Sequence, residues 1–431
     1  MRILYFVQYF NLPHEPGGSR AYQFARAWTR QGHEVTIVTG AVNHKTLSVP
    51  ETYRGRLVTV ESVDGIRVLR VWSYAGIRGS YRKRFLNFLS FAAVAGLVGV
   101  VRAGPADVVY ASSTPLTVGL PGRLAAVVRG VPFFFEVRDL WPQSAIVAGV
   151  LKEDSRGTRL ASRLARWLYA RAGKVVAVTR GIRDGLIREG VPIGRTMLVP
   201  NGVDDWMIDA ARHPRPAAPA GRFTVVYCGA HGKWNGLAQI VDAAAILADE
   251  PSIEFLFIGD GDELEALKAR AAKAGLSRVR FVGALPKTEA FEALCRASCC
   301  VVVTWNHPFQ RMVLANKIFD YLAAGRPVVV GAEGEMAELV RDAQCGRVVP
   351  PEVPELLADA IRQIAAMDPA HRERMGASGR RYILQHYRRE DLARELTRAF
   401  GDATGLPAEP LAGKDAGPRP VAFPAPTESR R

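Results

Sequence analysis

Four short stretches carry side chains whose types and spacing could do chemistry. "LPHEPGGSRAYQF" sets Gly17, Gly18 and Ser19 between an apolar run and a helical pattern. Glycine lets a backbone approach a ligand closely, and the free N–H groups and positive dipole end of a helix start suit an anion. The spacing is not G-x-G-x-x-G, so no dinucleotide site is indicated. "FFFEVRDLWPQS" brings Glu136, Arg138 and Asp139 to the end of a strand. Two carboxylates with one arginine could position hydroxyls or handle a proton, and an ion pair that merely stabilises the loop explains the same residues. "GAHGKWNGL" offers His231 and Lys233 to a phosphate. "RMVLANKIFDYLAAGRPVVV" makes Asn316 a candidate N-cap for a helix ending at Gly325, with Arg311 or Lys317 as the positive charge of a second anion site. Asp320 falls one turn in, where a carboxylate could accept hydrogen bonds from vicinal hydroxyls, as acidic groups bind ribose in Rossmann sites.

The elements that position these groups alternate. "RILYFVQ", "HEVTIVTG", "DVVYASS", "VPFFFEVRD" and "KVVAVT" read as strands with helices between them. Such runs are apolar on both faces, which implies a buried parallel sheet, and strand–helix repetition implies a doubly wound α/β domain. The pattern restarts after the Pro/Ala segment 214–221 with "FTVVYCG", "IEFLFIGDGD", "VRFVGAL", "CCVVVTW", "RPVVVGA" and "GRVVP". The fold class expected is α/β, with two doubly wound parallel-sheet domains in tandem. The expected boundaries are 1–205 and 206–385, and the segment from about 405 to 431 reads as a disordered tail. In parallel α/β sheets ligands bind beyond the carboxyl ends of strands, which is where all four stretches fall.

The 431 residues are too many for one ordinary core. Residues 1–200 carry 28 Lys and Arg against 12 Asp and Glu, net +16, whereas residues 201–431 sum to −1. A basic half suggests an anionic partner such as a membrane surface, a lipid phosphate or nucleic acid. Aromatic residues are not interleaved with the basic ones as on a stacking platform, which argues against nucleic acid. The five cysteines (228, 295, 299, 300 and 345) have no metal-ligand spacing and suit reduced thiols of a cytosolic protein. The N-terminal "MRILYFVQYF" reads as a strand and not as a secretory signal. "FLNFLSFAAVAGLVGVV", 85–101, is at the low edge of what crosses a bilayer and is expected to be a buried helix, with Arg82-Lys83-Arg84 keeping an interfacial role open. In "RGTRLASRLARWLYARAG", Arg156, Arg159, Arg163 and Arg166 form one helical stripe, while Leu160, Leu164, Trp167 and Leu168 form the other; solvation and membrane contact are equally good accounts of the basic face.

"VPNGVD" (199–204), "IGDGDELEAL", "FVGALPKTEAFEAL", "NKIFDYLAAGRPVVV" and "EMAELVRDAQCGRVVPP" occur in that order. Together they resemble the retaining nucleotide-sugar glycosyltransferases of family 4, with the GT-B fold. The glycine loop and "RDLWPQS" are similar to the subgroup that makes bacterial O-antigen and capsular polysaccharide, including acetamido-sugar transferases. The resemblance covers about residues 1–400 and implies two Rossmann-like domains facing across a cleft, with a late helix, about 386–402, crossing back to the first domain.

It further implies a nucleotide-sugar donor, UDP-linked, held mainly by the second domain, and a lipid-linked or polysaccharide acceptor held by the first. Gly17, Gly18 and Ser19, with His231, Lys233, Asn316, Lys317 and Asp320, would bind the donor; Asp139, Glu136 and Arg138 would be the catalytic set. Asp320 matches the second acid of the family's E-x7-E motif, which binds ribose hydroxyls. Glu338 and Gly346 match a region that is mainly structural. Two departures stand out: Met312 occupies the place of the first acid, and the usual Arg and Lys after the second domain's first strand are replaced near Ala230 and Asn235. No cofactor or metal is expected, and no D-x-D motif stands in a suitable place. Transfer would be front-face, with the leaving diphosphate helping to take the acceptor proton, in contrast to the paired carboxylates of glycosidases. The expected location is cytoplasmic, peripheral on the inner face of the cell membrane. A sugar-nucleotide 2-epimerase of the same fold and a non-enzymatic basic membrane- or nucleic-acid-binding protein are the competing functions.

Overall fold

The computed structural model describes residues 1–13, 15, 18–43, 48–75, 81–211 and 221–408. Gly17, the Pro/Ala segment 212–220 and residues 409–431 of the expected tail lie outside the described residues.

The first sheet has eight strands: β1 (Arg2–Val7), β2 (Glu34–Gly40), β3 (Val58–Val63), β4 (Ile66–Val71), β5 (Val108–Ser112), β6 (Phe133–Val137), β7 (Lys174–Ala177) and β8 (Thr196–Leu198). Their order is β3-β4-β2-β1-β5-β6-β7-β8, all parallel except the β3–β4 hairpin. The helices are α1 (Arg20–Arg30), α2 (Tyr81–Val101), α3 (Gly119–Arg129), α4 (Gln143–Val147), α5 (Arg156–Arg171) and α6 (Arg180–Arg188). Both faces of β1 are apolar because both are covered. Leu4 and Phe6 join a core with α2, α3, α5 and α6, while Ile3, Tyr5 and Val7 join a core with α1. The hairpin is absent from the sequence-based expectation. Its signal is Asp64-Gly65, both with positive φ, between the register partners Val63 and Ile66, which is the signature of a two-residue turn.

After α7 (Asp205–Ala210) the second sheet contains β9 (Phe223–Cys228), β10 (Ile253–Ile258), β11 (Val279–Phe281), β12 (Cys299–Val303), β13 (Val328–Gly331) and β14 (Gly346–Val349). Their order is β11-β10-β9-β12-β13-β14, and every pairing is parallel. One face packs on α8 (Ala238–Ile246), α9 (Leu264–Lys273) and α13 (Pro354–Ala366); the other packs on α7, α10 (Lys287–Arg296), α11 (Asn316–Ala323), α12 (Glu335–Asp342) and α14 (Pro369–His386). Val203 and Met207 belong to this second core, so the chain enters it ahead of the Pro/Ala segment. The last helix, α15 (Arg389–Thr404), leaves it and lies on the first sheet. Phe400 packs edge-on against Trp28, Tyr110 and Phe134, and Trp28 Nε1 donates to Ala393 O at 3.2 Å.

Strand order reverses beside β1 in the first sheet and beside β9 in the second. Crevices open at such switch points, at the carboxyl ends of the strands. The loop after β1 faces the start of α11 in the second domain.

Candidate functional site

On the first-domain side, Ser19 is the N-cap residue of α1; it is buried and makes no side-chain capping bond. A Cβ added at Gly18 would stand 4.0 Å from Asn316 Nδ2 of the second domain. The glycine loop and the start of α11 thus face each other across the cleft. Asn316 itself is not the N-cap expected from the sequence. Ala315 holds that place without a side-chain bond, and Asn316 is the exposed first helical residue, which turns its amide toward Gly18.

The Glu136–Arg138–Asp139 group divides. Glu136 is fully buried and fully satisfied: Arg20 donates to it through Nη2 at 2.6 Å and Nε at 3.0 Å, and Tyr110 Oη and Ser112 Oγ each donate at 2.6 Å. Burial works against its charge, but the Arg20 guanidinium outweighs it and holds the carboxyl below the usual range. Arg20 also donates to the carbonyls of Val199 and Pro200, tying α1 to the end of the first domain. Glu136 is therefore an internal strut, not a catalytic group, because no reacting atom can reach it. Arg138 and Asp139 sit half-exposed past the end of β6. Asp139 accepts from Thr114 Oγ1 at 2.7 Å, and the Arg138 backbone N–H donates to Ser113 Oγ at 3.1 Å. These two, with Thr114, remain accessible at the carboxyl ends of β5 and β6.

On the second-domain side, the side chain of Lys317 reaches under the loop after β9. Its Nζ donates to Tyr227 Oη at 2.8 Å and to Asn235 Oδ1 at 2.7 Å and lies 4.7 Å from the centre of the Tyr227 ring. Among the described residues no carboxylate lies within ion-pair distance of it. Burial with only neutral partners lowers its pKa to about 7. Gly229 approaches it closely: a Cβ there would stand 3.1 Å from Lys317 Cε and 3.4 Å from Nζ. Asn235, its acceptor, stands at one of the two positions where the resemblance implies an Arg or Lys.

His231 does not fit the phosphate role. It is fully buried, and its ring lies among Tyr227, Phe257 and Phe281, with centroids 5.8, 6.1 and 6.4 Å away. Among the described residues neither ring nitrogen has a partner. The backbone turns it inward: His231 N donates to Asp260 O, and Glu263 N donates to His231 O. Gly261 is needed where this loop crosses the β10–α9 turn, since a Cβ there would stand 2.5 Å from His231 O at a φ of +156°. Lys233, by contrast, is exposed at the start of a short 3-10 turn. Arg311 is exposed and paired with Glu333 at 2.7 Å.

Asp320 is half-buried on α11. Its pKa is raised, chiefly by burial, with Asp204 adding to the effect and Lys287 and Arg389 opposing it. No hydrogen bond or ion pair to its carboxylate occurs among the described residues. The neighbouring Asp204 is, in contrast, bonded to Arg389 at 2.5 Å and lies 3.4 Å from Lys287. Lys287, Pro286 and Asp204 line a cavity of about 560 Å³ whose opposite wall is Leu12, Tyr22 and Arg26 of the first domain.

The sequence reading missed the contact that closes one end of the cleft. Thr179 caps α6 and donates from Oγ1 to Met312 O at 2.8 Å. The Glu335 carboxylate accepts from Arg180 N at 3.0 Å and Gly181 N at 3.2 Å, so an acid of the second domain sits on the positive end of a first-domain helix. A Cβ at Gly181 would stand 2.3 Å from Met312 Cβ. Met312, standing where the first acid of the motif is expected, is used as an interdomain contact.

The arrangement can hold an anion between the start of α1 and the start of α11, and a hydroxylated group at Asp320. Among the described residues no group of three or more His, Cys, Asp or Glu is placed to hold a metal ion. Residues 17–202 match the family described as Glycosyl transferase 4-like domain, and residues 222–367 match the one described as Glycosyl transferases group 1. WbjE of Pseudomonas aeruginosa, a probable glycosyltransferase, is 27% identical over 298 residues, 66% of this chain and 72% of that one. WcaI of Escherichia coli, a glycosyl transferase attributed to colanic acid biosynthesis, is 28% identical over 360 residues, 79% and 86% of the two chains. The fold is that of HepE from Anabaena, solved with UDP and glucose, at a TM-score of 0.66 and 17% identity over 93% of this chain and 100% of that one.

Proposed function

The chain belongs to the glycosyltransferases of family 4, with the GT-B fold, and from that premise we propose that it moves a sugar from a UDP-sugar to a lipid-linked or polysaccharide acceptor in the making of a cell-surface polysaccharide such as O-antigen or capsule. The observation that carries this reading is Lys317: a part-buried ammonium with neutral partners only, next in the chain to Asn316, which faces the glycine-led start of α1 across the cleft. A diphosphate would supply the missing negative charge. WbjE supports glycosyl transfer, the colanic acid biosynthesis attributed to WcaI supports the polysaccharide setting, and the UDP bound to HepE supports the nucleotide.

In this reading the N–H groups at the start of α1, the Asn316 amide and Lys317 stabilise the charge that develops on the leaving diphosphate. Asp320 accepts hydrogen bonds from the ribose hydroxyls. Thr114, Arg138 and Asp139, at the ends of β5 and β6, position the acceptor hydroxyl, and its proton passes to the departing diphosphate, so the new bond forms on the face the nucleotide leaves and configuration is retained. The transferred group is a hexose or acetamidohexose. With Met312 at the motif's first acid position, no carboxylate from that place contacts the sugar.

The test is a panel of labelled UDP-sugars offered with an undecaprenyl-diphosphate-linked sugar acceptor, with the anomeric configuration of the product read by NMR. Transfer with retention is expected for one donor. Transfer from none, or inversion, overturns the reading, and a changed sugar nucleotide without acceptor would mark an epimerase instead.

A further inference from the structure

The face of the first domain opposite α1 has a composition that the sugar-transfer site does not use. Helices α2, α3 and α5 cover it side by side. A Cβ at Gly96 of α2 would stand 3.4 Å from Leu124 of α3, and one at Gly119 of α3 would stand 2.7 Å from Leu168 of α5. Inner residues such as Asn87, Phe91 and Ala95 hold α2 to the sheet, so the helix does not span anything even though its length and apolarity would allow it.

Outward, α2 shows Leu86, Leu89 and Leu97, which are 51%, 41% and 60% exposed. Spaced three, then eight residues apart, they share one stripe. Leu124, Val127 and Val128 of α3 continue the apolar surface. On α5 the expected leucine stripe divides: Leu164 and Leu168 pack on the core, whereas Leu160 and Trp167 do not. Leu160 and Trp167 are 65% and 43% exposed beside Arg159, Arg163 and Arg166, and the core side is Ala165, Leu168 and Tyr169. The three helices hold ten Arg and Lys and not one Asp or Glu.

We infer that this face docks on an anionic lipid bilayer. Leucine and tryptophan on an arginine-rich helix surface match an interface in which apolar groups enter the acyl boundary and cations meet lipid phosphates. A second copy of the chain is a poor occupant, because the face would meet its own positive charge. Each of the three helices begins at the carboxyl end of a strand, the cleft side of the sheet, and Arg84 at the start of α2 lies close enough to Tyr9, just past β1, to act on its phenol electrostatically. Docking therefore brings the rim of the cleft to the membrane surface, where a lipid-linked acceptor emerges.

The experiment is co-sedimentation of the full chain with vesicles of mixed phosphatidylglycerol and phosphatidylcholine, beside pure phosphatidylcholine vesicles, across salt. Binding is expected on the anionic vesicles only and should weaken as salt screens it. The triple change Arg159→Gln, Arg163→Gln, Arg166→Gln should lower the partition coefficient by about a hundredfold, at roughly fivefold per arginine. Leu86→Gln with Leu97→Gln should lower it with Tm unchanged, since both side chains already face water. Equal binding to both vesicle types, undiminished binding of either variant, or a wild-type dimer that the leucine variant loses would overturn the inference. Neither donor nor acceptor is present, so this result and the transfer assay fail independently.

Discussion

Two cations, the buried Arg20 and the half-buried Lys317, belong to opposite domains beside the same cleft, and their surroundings differ in one respect. Arg20 meets a full counter-charge: Glu136 takes two of its hydrogen bonds, two backbone carbonyls take others, and the carboxylate is itself satisfied by Tyr110 and Ser112. Lys317 meets a phenol and an amide and no carboxylate. The same contrast holds between Asp204, bound to Arg389 and Lys287, and Asp320, which has no such partner among the described residues. A buried charge whose opposite is built in belongs to the fold. One held by neutral groups is more costly to the empty protein and gains most when a ligand brings the opposite charge.

The largest expected effect tests the closed pair. Arg20→Met leaves Glu136 buried without a counter-charge and should cost about 3–5 kcal/mol of stability, measured by urea unfolding. Adding Glu136→Gln should recover part of it, and transfer per folded molecule should be unchanged. If Glu136→Gln alone instead abolishes transfer at full stability, the division between strut and site is wrong. Next comes the open charge. Lys317→Met should reduce kcat by about a hundred- to a thousandfold, the usual cost of one group that stabilises developing negative charge. Its Tm should hold or rise, because an uncompensated half-buried ammonium is removed.

Asp320→Asn should raise the donor KM by about tenfold or more with little change in Tm, as expected for a lost hydrogen bond to a charged group; lost stability at unchanged KM would remove the ribose assignment. The smallest effect is a slope. Lys317 has a pKa of about 7 in the empty protein, and a bound diphosphate must raise it. Donor binding then takes up a proton, so donor KM should climb above about pH 7 by up to about tenfold per unit, and the climb should vanish in Lys317→Met. The same depressed pKa means that the empty protein gains stability as pH rises from about 7, where the unfolded chain still carries the proton and the folded one does not.

Much of this was legible in the residues. Strands β1, β5, β6, β9, β12 and β13 read correctly because they are apolar on both faces, a pattern that only a covered parallel sheet requires. The positions of Asp320 and Gly18 followed from strand-then-helix order. The β3–β4 hairpin had its Asp-Gly signal and was overlooked because "TVESV" is half polar and lies at the sheet edge. Side-chain direction was not legible. His231 follows a strand as a phosphate ligand would, but two backbone bonds to the β10–α9 turn rotate it inward. Glu136 lies two residues from Arg138, yet its partner is Arg20, 116 positions away. On α5 the arginine and leucine stripes are adjacent on the helix, and only packing against the sheet shows that Leu160 and Trp167 belong to the outer one.

The sequence by itself determined the two α/β domains, the loops that carry the chemistry and the concentration of positive charge in the first half, because these depend on local periodicity, turn residues and composition. Tertiary structure alone decided which charges are paired, which are left open, and how the domains meet through Thr179, Glu335 and Met312. Pairing and burial depend on distances between residues far apart in the chain, and no local pattern encodes those distances.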